Sequence, residues 1–277
     1  MKTIQANKID IDLKDYKMRS AKEGDYHTLI TESTLVYEGD TLMIGYVELD
    51  LDCSEIVDTL QRIKYDKNFR SNGLPTTSRI FGFSPRLPLR KDYCTATSLA
   101  KEAPRDHAVI TDYAAKVAQY YREMNPDLYA KHQADTTEHV VGDYKVKDSP
   151  FTSGIINKNN PLKYHFDTGN FRDVWSCMLV FKRDITGGFL ALPQYGLGFE
   201  LKHNSLFMFD GQSLLHGVTP IKKNSPRSFR YSIVYYSLRE MWNCLPITDE
   251  LLRIQQKRIE REEKRVSTNV RTTKDFK

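Results

Sequence analysis

From about residue 150 onward the chain is a series of short apolar runs separated by turns, and this pattern limits the folds open to it. The runs are rich in β-branched and aromatic residues, which favour strands. They are WSCMLVFK (175–182), GFLALP (188–193), SLFMFD (205–210) and FRYSIVYYSL (229–238). Many short strands at this spacing are typical of a sandwich or barrel. We therefore expect an all-β second half.

The first half has longer periodic segments. DTLMIGYVELD (40–50) predicts a strand, and SEIVDTLQRIKY (54–65) predicts a helix that opens on a serine cap. The run from 104 to 126 has apolar residues at helical spacing and ends at Asn125-Pro126, with a shorter helix expected after it. The sequence therefore predicts an α+β fold, with an α-rich first half packed on a β core.

We expect one domain over residues 1–277 with three parts. An α-rich support region would span 1–148, the β core 149–240 and a basic helical tail 241–277. Within that tail, interspersed Glu, Arg and Lys predict a helix of roughly five turns over 247–266.

Composition excludes several classes. The hydrophobic share is 40% and the charged share 28%, as in ordinary globular proteins. No apolar run approaches the length of a membrane span, and the first residues lack the apolar core of a secretory signal. We expect an intracellular protein of the cytoplasm, nucleoid or nucleus. Its four widely spaced cysteines form no C-x-x-C pair, so we expect them to be mostly reduced and partly buried.

The net charge of +5 resides at one end of the chain. Residues 253–277 hold nine Lys/Arg and four Asp/Glu, and the other 252 residues are neutral. A basic tail suits a nucleic-acid backbone. It suits a solvated helix end equally well.

Two histidines and a carboxylate in the β half have the pattern of a metal site. In KYHFDTGNF (163–171), His165 and Asp167 are two residues apart and would share one face of a strand. His216 follows in LLHGVTPI (214–221). Two histidines and one carboxylate form the facial triad of non-haem Fe(II) oxygenases. Zinc could use the same ligands for hydrolysis, so the triad alone leaves both metals open.

Arg230 distinguishes an iron oxygenase site from a zinc hydrolase site. It lies in RYSIVYY (230–236), where a lone buried arginine is costly unless paired, and Ser232 shares its strand face. A guanidinium beside a hydroxyl suits a carboxylate. This is what a 2-oxoglutarate site requires, with Arg230 and Ser232 holding the far carboxylate. Arg227 is a competing anchor, but Pro226 before it indicates a turn.

The span 149–238 resembles the catalytic core of the Fe(II)/2-oxoglutarate dioxygenases, and within them the TET and J-binding protein family, as a compact phage- or protist-like member. The segments that carry the resemblance are SPFTSGIINKNN, HFDTGNF, the glycine-glycine hairpin that leads to LLHGVTPI, and RYSIVYY. FGFSPRLPLRKDYC (81–94) is a fainter match. The resemblance implies a double-stranded β-helix, or jelly roll.

The resemblance also implies a reaction. It predicts oxidation of the 5-methyl group of a pyrimidine in DNA, with Fe(II), 2-oxoglutarate and O2, and with 5-methylcytosine ahead of thymine. The base would have to be flipped out or single-stranded. Asn157 is a candidate donor to the 1-carboxylate, or a turn former.

Substrate contacts are predicted from the basic segment 66–94. Arg86 and Arg90 could line the DNA cleft, or the segment could simply cover the β core. The alternatives to a DNA substrate are a free small molecule, a nucleotide or a protein side chain, and a binding module without chemistry. No stable protein partner can be inferred.

Overall fold

The computed structural model describes residues 1–16, 19–69, 75–86 and 93–267. Within them the α-helices are α1 (Ser54–Arg62), α2 (Ser98–Glu102), α3 (Pro104–Met124), α4 (Pro126–His139) and α5 (Ile247–Ser267). The strands of the first half are β1 (Lys2–Gln5), β2 (Thr28–Ile30), β3 (Thr34–Glu38), β4 (Thr41–Glu48), β5 (Asp66–Phe69), β6 (Pro75–Ser84) and β7 (Thr95–Ala96). Those of the second half are β8 (Ser153–Lys158), β9 (Leu162–His165), β10 (Ser176–Arg183), β11 (Ile185–Gly187), β12 (Leu190–Leu192), β13 (Leu197–Phe199), β14 (Ser205–Phe209), β15 (His216–Val218), β16 (Ile221–Lys223) and β17 (Phe229–Tyr236).

Two sheets face each other. The larger has ten strands in the order β1-β3-β4-β14-β10-β17-β8-β6-β5, with β7 paired to β6. The smaller has five strands in the order β2-β13-β12-β15-β9. Alternating side chains of β10 and β14 point toward the small sheet, and they form one apolar core with β12, β13 and β15. This is the predicted jelly-roll architecture.

A second core lies on the other side of the large sheet. There α1 and α3 pack on the outward side chains of the central strands, with Leu60, Ala114 and Tyr121 among the buried residues of the helices. Pro104 begins α3, and Pro126, directly after the Asn125 cap, begins α4. The helices predicted near 54–65, 104–126 and 247–266 are all present.

The prediction of an α-rich first half is not confirmed. Seven of the strands precede residue 97, and β1, β3, β4, β5 and β6 extend the large sheet while β2 joins the small one. The turn-rich run after residue 66 contains the β5–β6 hairpin. Helix and strand are therefore mixed, because the first half completes sheets whose centre comes from the second.

The prediction of reduced cysteines is wrong for one pair. Cys94 and Cys244, 150 residues apart, form a disulfide. Cys53 and Cys177 are free, as expected. Cys244 lies just before α5, so the disulfide joins that end of the chain to the segment that precedes α2.

Candidate metal centre and active site

His165, Asp167 and His216 lie together at one edge of the small sheet. One ligand atom from each lies within 4.8 Å of the others. His165 and His216 are directly paired between β9 and β15, and their ring centroids are 4.3 Å apart. Asp167 Oδ1 is 3.6 Å from His165 Nε2, and Asp167 Oδ2 is 3.9 Å from His216 Nε2.

Asp167 does not lie on a strand beside His165, as was predicted. The strand β9 ends at His165, so Asp167 lies in the following turn and not on the same strand face. Its backbone N–H donates to the Gly211 carbonyl at 2.8 Å, and its own carbonyl accepts from Asn170 N–H. The turn therefore brings the carboxylate back toward the histidines.

Both histidines are held by a backbone carbonyl. His165 Nδ1 lies 2.8 Å from the Lys163 carbonyl and His216 Nδ1 lies 2.9 Å from that of Leu214. A carbonyl only accepts, so each Nδ1 carries the proton and donates it. In the neutral ring Nε2 is then the unprotonated nitrogen, and it is the one that faces Asp167. This is how histidine ligands of metals are usually oriented.

Sequence reasoning did not identify Gly211 as part of this site. A Cβ at Gly211 would lie 2.5 Å from Asp167 Oδ2, so a larger residue would displace the carboxylate. The Asp210 carboxylate accepts from Gln212 and Ser213 N–H and shapes the turn that carries Gly211. The Asp-Gly pair in FMFDGQS signals this turn, but nothing in the sequence places it beside Asp167.

A cavity of 280 Å³ opens beside the three residues. Both sheets line it: Leu190, His216 and Val218 come from the small sheet, and Asn157, Met178, Ser232 and Val234 from the large one. Most of these side chains are buried. The cavity is therefore an apolar space with polar groups at few points, which is the common form of a small-molecule site.

Arg230 lies on the same face of β17 as the cavity-lining Ser232 and Val234, because alternate residues of a strand share a face. It is 3% exposed, and its Nη2 has no hydrogen-bond partner among the described residues. Burial lowers the pKa of Arg230 to about 10. A buried guanidinium nitrogen without a partner is rare, and an anion would satisfy it.

A second cation lies beside Arg230. Lys182 of β10 is its direct cross-strand neighbour, and burial lowers the pKa of Lys182. Glu200 accepts from Lys182 at 3.4 Å and also lies 3.5 Å from Lys202. Two lysines thus share one carboxylate beside the arginine, an arrangement that favours a further negative charge. A ligand carboxylate would be stabilised there.

The other predicted residues have mixed positions. Asn157 lies in β8 and lines the cavity, so it is not a turn former, and its Oδ1 accepts from Asn160 at 3.1 Å. Arg227 is exposed, which leaves Arg230 as the inward arginine. Arg86 pairs with the buried Glu250 of α5. Arg90 lies outside the described residues.

Comparisons with known proteins give the class. The family model Tet_JBP, the oxygenase domain of the 2OGFeDO superfamily, matches residues 87–239, which is more than half of the chain. The chain therefore belongs to this family of dioxygenases. The predicted resemblance to the TET and J-binding proteins is confirmed.

Individual relatives are distant. Thymine dioxygenase JBP1 of Trypanosoma brucei brucei is 24% identical over 145 residues, which are 52% of this chain and 17% of that protein. The bifunctional helicase and thymine dioxygenase JBP2 of Leishmania major is 23% identical over 223 residues, which are 76% and 20%. The chain spans about a fifth of the length of these curated relatives.

A solved structure supports the fold. NgTET1, in complex with 5mC DNA, superposes with a TM-score of 0.58 at 13% identity, over 83% of this chain and 90% of that one. The jelly-roll prediction is thereby confirmed. In the part of the chain described above, no helix has the length and apolarity needed to cross a membrane.

Proposed function

We propose that this chain is an Fe(II)/2-oxoglutarate-dependent dioxygenase that hydroxylates the 5-methyl group of a pyrimidine in DNA, forming succinate and CO2. One observation carries the proposal: a His-Asp-His cluster lines a cavity between the two sheets, and on the strand face that lines the same cavity a buried arginine has a nitrogen without a partner among the described residues. Zinc hydrolases need the first feature but not the second.

The residues fit the two groups that the family implies. His165, Asp167 and His216 would hold Fe(II) and leave positions open, as the facial triad does. Arg230 and Ser232 would bind the far carboxylate of 2-oxoglutarate, and Asn157 is the candidate donor to its near carboxylate. With its cosubstrates bound, the iron would supply the oxidising chemistry.

The chain itself would orient the metal ligands and exclude water from the cavity. The Lys163 and Leu214 carbonyls fix the proton of each histidine on Nδ1, so the ligating nitrogens are set before metal binds. The apolar side chains of Met178, Leu190 and Val218 would keep water from the reacting carbon. A base within a duplex could not enter this cavity, so the target would be flipped out or single-stranded.

The choice of base is the finer part of the proposal. We place 5-methylcytosine ahead of thymine as the substrate base. The names of the similar proteins point to different bases: the JBP proteins are named thymine dioxygenases, and NgTET1 was solved with 5mC DNA. Both methyl groups are attached to an unsaturated ring, so the C–H bond is comparatively weak in each. Only a direct assay distinguishes them.

The test is anaerobic loading with Fe(II) and 2-oxoglutarate, followed by oxygen and a panel of substrates. The panel holds 5-methylcytosine DNA, thymine-only DNA, free nucleotides and cell lysate, with products read by mass spectrometry. Hydroxymethyl bases formed only with both iron and 2-oxoglutarate are expected. Asp167→Ala is the matched inactive control. Succinate formation driven by a free metabolite, and by no DNA, would select the small-molecule alternative.

Salt dependence tests the basic tail. If residues 253–277 contact phosphates, turnover on DNA should fall steeply as salt rises, and deleting them should flatten that dependence. The described part of this tail, within α5, carries six Lys/Arg and three Asp/Glu. Equal slopes for the full chain and the truncated chain would remove the tail from the DNA interface.

A further inference from the structure

The two tryptophans of the chain have opposite environments. Trp175 is buried in the helix-side core at 2% exposure, whereas Trp242 is 41% exposed. Trp242 lies on the short 3-10 helix Arg239–Asn243. Its ring stacks on His139 with centroids 4.1 Å apart, and it meets Phe171 edge-on at 5.3 Å. The ring is therefore held in place by two neighbours and still offers a large apolar surface to solvent.

This tryptophan lies next to segments that line the catalytic cavity. Gly169 and Leu238 line that cavity, and Arg239 N–H donates to the Gly169 carbonyl at 3.1 Å. Phe171, which Trp242 contacts, directly follows the cavity-lining Asn170. The exposed ring is therefore carried by a segment that directly follows one of the cavity-lining residues, Leu238.

Two arginines lie near the ring along the chain: Arg239 begins the 3-10 helix that carries Trp242, and Arg172 follows Phe171, which the ring contacts. Arg172 and Arg239 are exposed, and among the described residues neither side chain has a hydrogen bond or an ion pair. Asp173 and Glu240 follow them in sequence, so this surface has no excess of positive charge. Long-range attraction cannot supply much of the binding here. Stacking, assisted by short-range contacts from two guanidinium groups, can.

We infer that the exposed ring of Trp242 stacks an unpaired base next to the target base of a DNA strand. Phe171, which is buried, supports the ring, and Arg172 and Arg239 accompany it; we call these four residues the rim platform. The inference rests on the proposed function. A base that enters the cavity leaves its neighbours without a stacking partner, and an exposed aromatic ring beside the cavity-lining segments would replace that partner. The arginines would contact the adjacent phosphates, which position the strand without reading its sequence.

The experiment measures binding of an unmodified, fluorescein-labelled single-stranded oligonucleotide by anisotropy, without iron or 2-oxoglutarate. Trp242→Ala should weaken binding by about 5- to 150-fold, the range for one stacked base, while Trp242→Phe should retain most of it. Leu29→Ala is the matched control, because Leu29 is equally exposed at 41% but lies on β2, at the opposite edge of the small sheet from β9. It should bind as the unchanged protein does.

Tryptophan emission gives a second readout that does not depend on a truncated side chain. The oligonucleotide should quench the tryptophan fluorescence of the unchanged protein. It should not quench that of Trp242→Phe, because the remaining Trp175 is buried. The double variant Arg172→Gln/Arg239→Gln should lower the slope of log affinity against log salt by about 0.7 for each phosphate that the two arginines neutralise in the unchanged protein.

The outcomes separate this inference from the proposed function. If methylated DNA is oxidised but Trp242→Ala binds as tightly as the unchanged protein, the rim platform is wrong and the proposed function stands. If binding depends on Trp242 but no methylpyrimidine is oxidised, the platform stands and the proposed function is wrong. Equal losses in Trp242→Ala and Leu29→Ala, or no binding of any oligonucleotide, overturn the platform.

Discussion

The outer face of β17 is fully buried and the inner face is buried or half-buried, and the two faces differ in how their polar groups are satisfied. On the outer face Tyr231, Ile233 and Tyr235 pack against the helices, and the Tyr235 hydroxyl donates to the Ile110 carbonyl at 2.9 Å. On the inner face Ser232 and Val234 line the cavity, and Arg230 keeps a nitrogen without a partner among the described residues. The Tyr235 hydroxyl is thus satisfied within the helix-side core. A carboxylate ligand would supply the partner that Arg230 Nη2 lacks.

Burial alone therefore does not distinguish the core from the site in this protein. Both faces are dominated by side chains with little exposure, but stability accounts only for the outer one. A buried guanidinium nitrogen without a partner costs free energy in the absence of ligand, and that cost is recovered when an anion binds. Substitutions on the two faces should accordingly affect different measurements: ligand binding for the inner face, and folding for the outer face.

The largest effect should come from the cluster of His165, Asp167 and His216. His165→Ala, Asp167→Ala or His216→Ala should lower metal affinity and turnover by more than about 100-fold, because loss of a group that merely supports a ligand costs about 10–100-fold. Thermal unfolding of the metal-free variants should change little. Metal content after anaerobic Fe(II) loading and succinate formation are the measurements. Full activity in any of these variants, without an added rescuing ligand, would exclude that residue from the site.

Sequence reasoning identified this cluster because its ligands lie on or beside short apolar runs whose strand character is local. It did not place Asp167 in a turn, because the bond to the Gly211 carbonyl joins segments 44 residues apart. The disulfide of Cys94 with Cys244 was missed for the same reason. The strands of the first half were underestimated because β1 and β2 are only four and three residues long and pair in parallel with distant strands.

The next effect should come from Arg230, on the inner face of β17. Arg230→Met should raise the 2-oxoglutarate requirement by at least about 30-fold, since loss of a buried charged hydrogen-bonded pair costs about 2–5 kcal/mol. The iron requirement should change far less. Titration of 2-oxoglutarate in the presence of Mn(II) measures binding without turnover. Arg227→Met is the matched control, because Arg227 is exposed. If Arg227→Met has the larger defect, the assignment of the inward arginine is wrong.

A smaller effect should come from the glycine that makes room for the carboxylate. Gly211→Ala places a Cβ 2.5 Å from Asp167 Oδ2, whereas at Gly169 the nearest atom would be Leu238 Cδ2, at an ordinary 3.6 Å. Gly211→Ala should weaken metal binding by about 10- to 100-fold, as other losses of support for a ligand do. Gly169→Ala should bind metal almost normally. Equal metal affinities in the two variants would show that the Asp167 side chain relaxes without cost.

The smallest effect concerns the outer face and should leave the inner face untouched. His132 of α4 is fully buried on the helix side. Its Nε2 donates to Ser237 Oγ, because the Ser237 hydroxyl itself donates to the Pro150 carbonyl. Burial lowers the pKa of His132 from 6.5 to about 3. Between these pH values the unfolded chain binds a proton that the folded chain does not. The free energy of unfolding should therefore fall as pH is lowered through this window, by up to about 1.4 kcal/mol per pH unit.

Denaturant titrations at pH 7.5, 6.5 and 5.5 test this prediction in the unchanged protein and in His132→Gln, whose amide can still donate to Ser237. Below pH 6.5 the free energy of unfolding of the variant should fall less steeply with falling pH, because the contribution of His132 is absent. His107, whose pKa burial also lowers, remains in both proteins and cancels in the comparison. Affinity for 2-oxoglutarate should be the same in both at pH 7.5. A changed affinity would mean that the two faces of the large sheet are coupled, because a core substitution would then reach the Arg230 side.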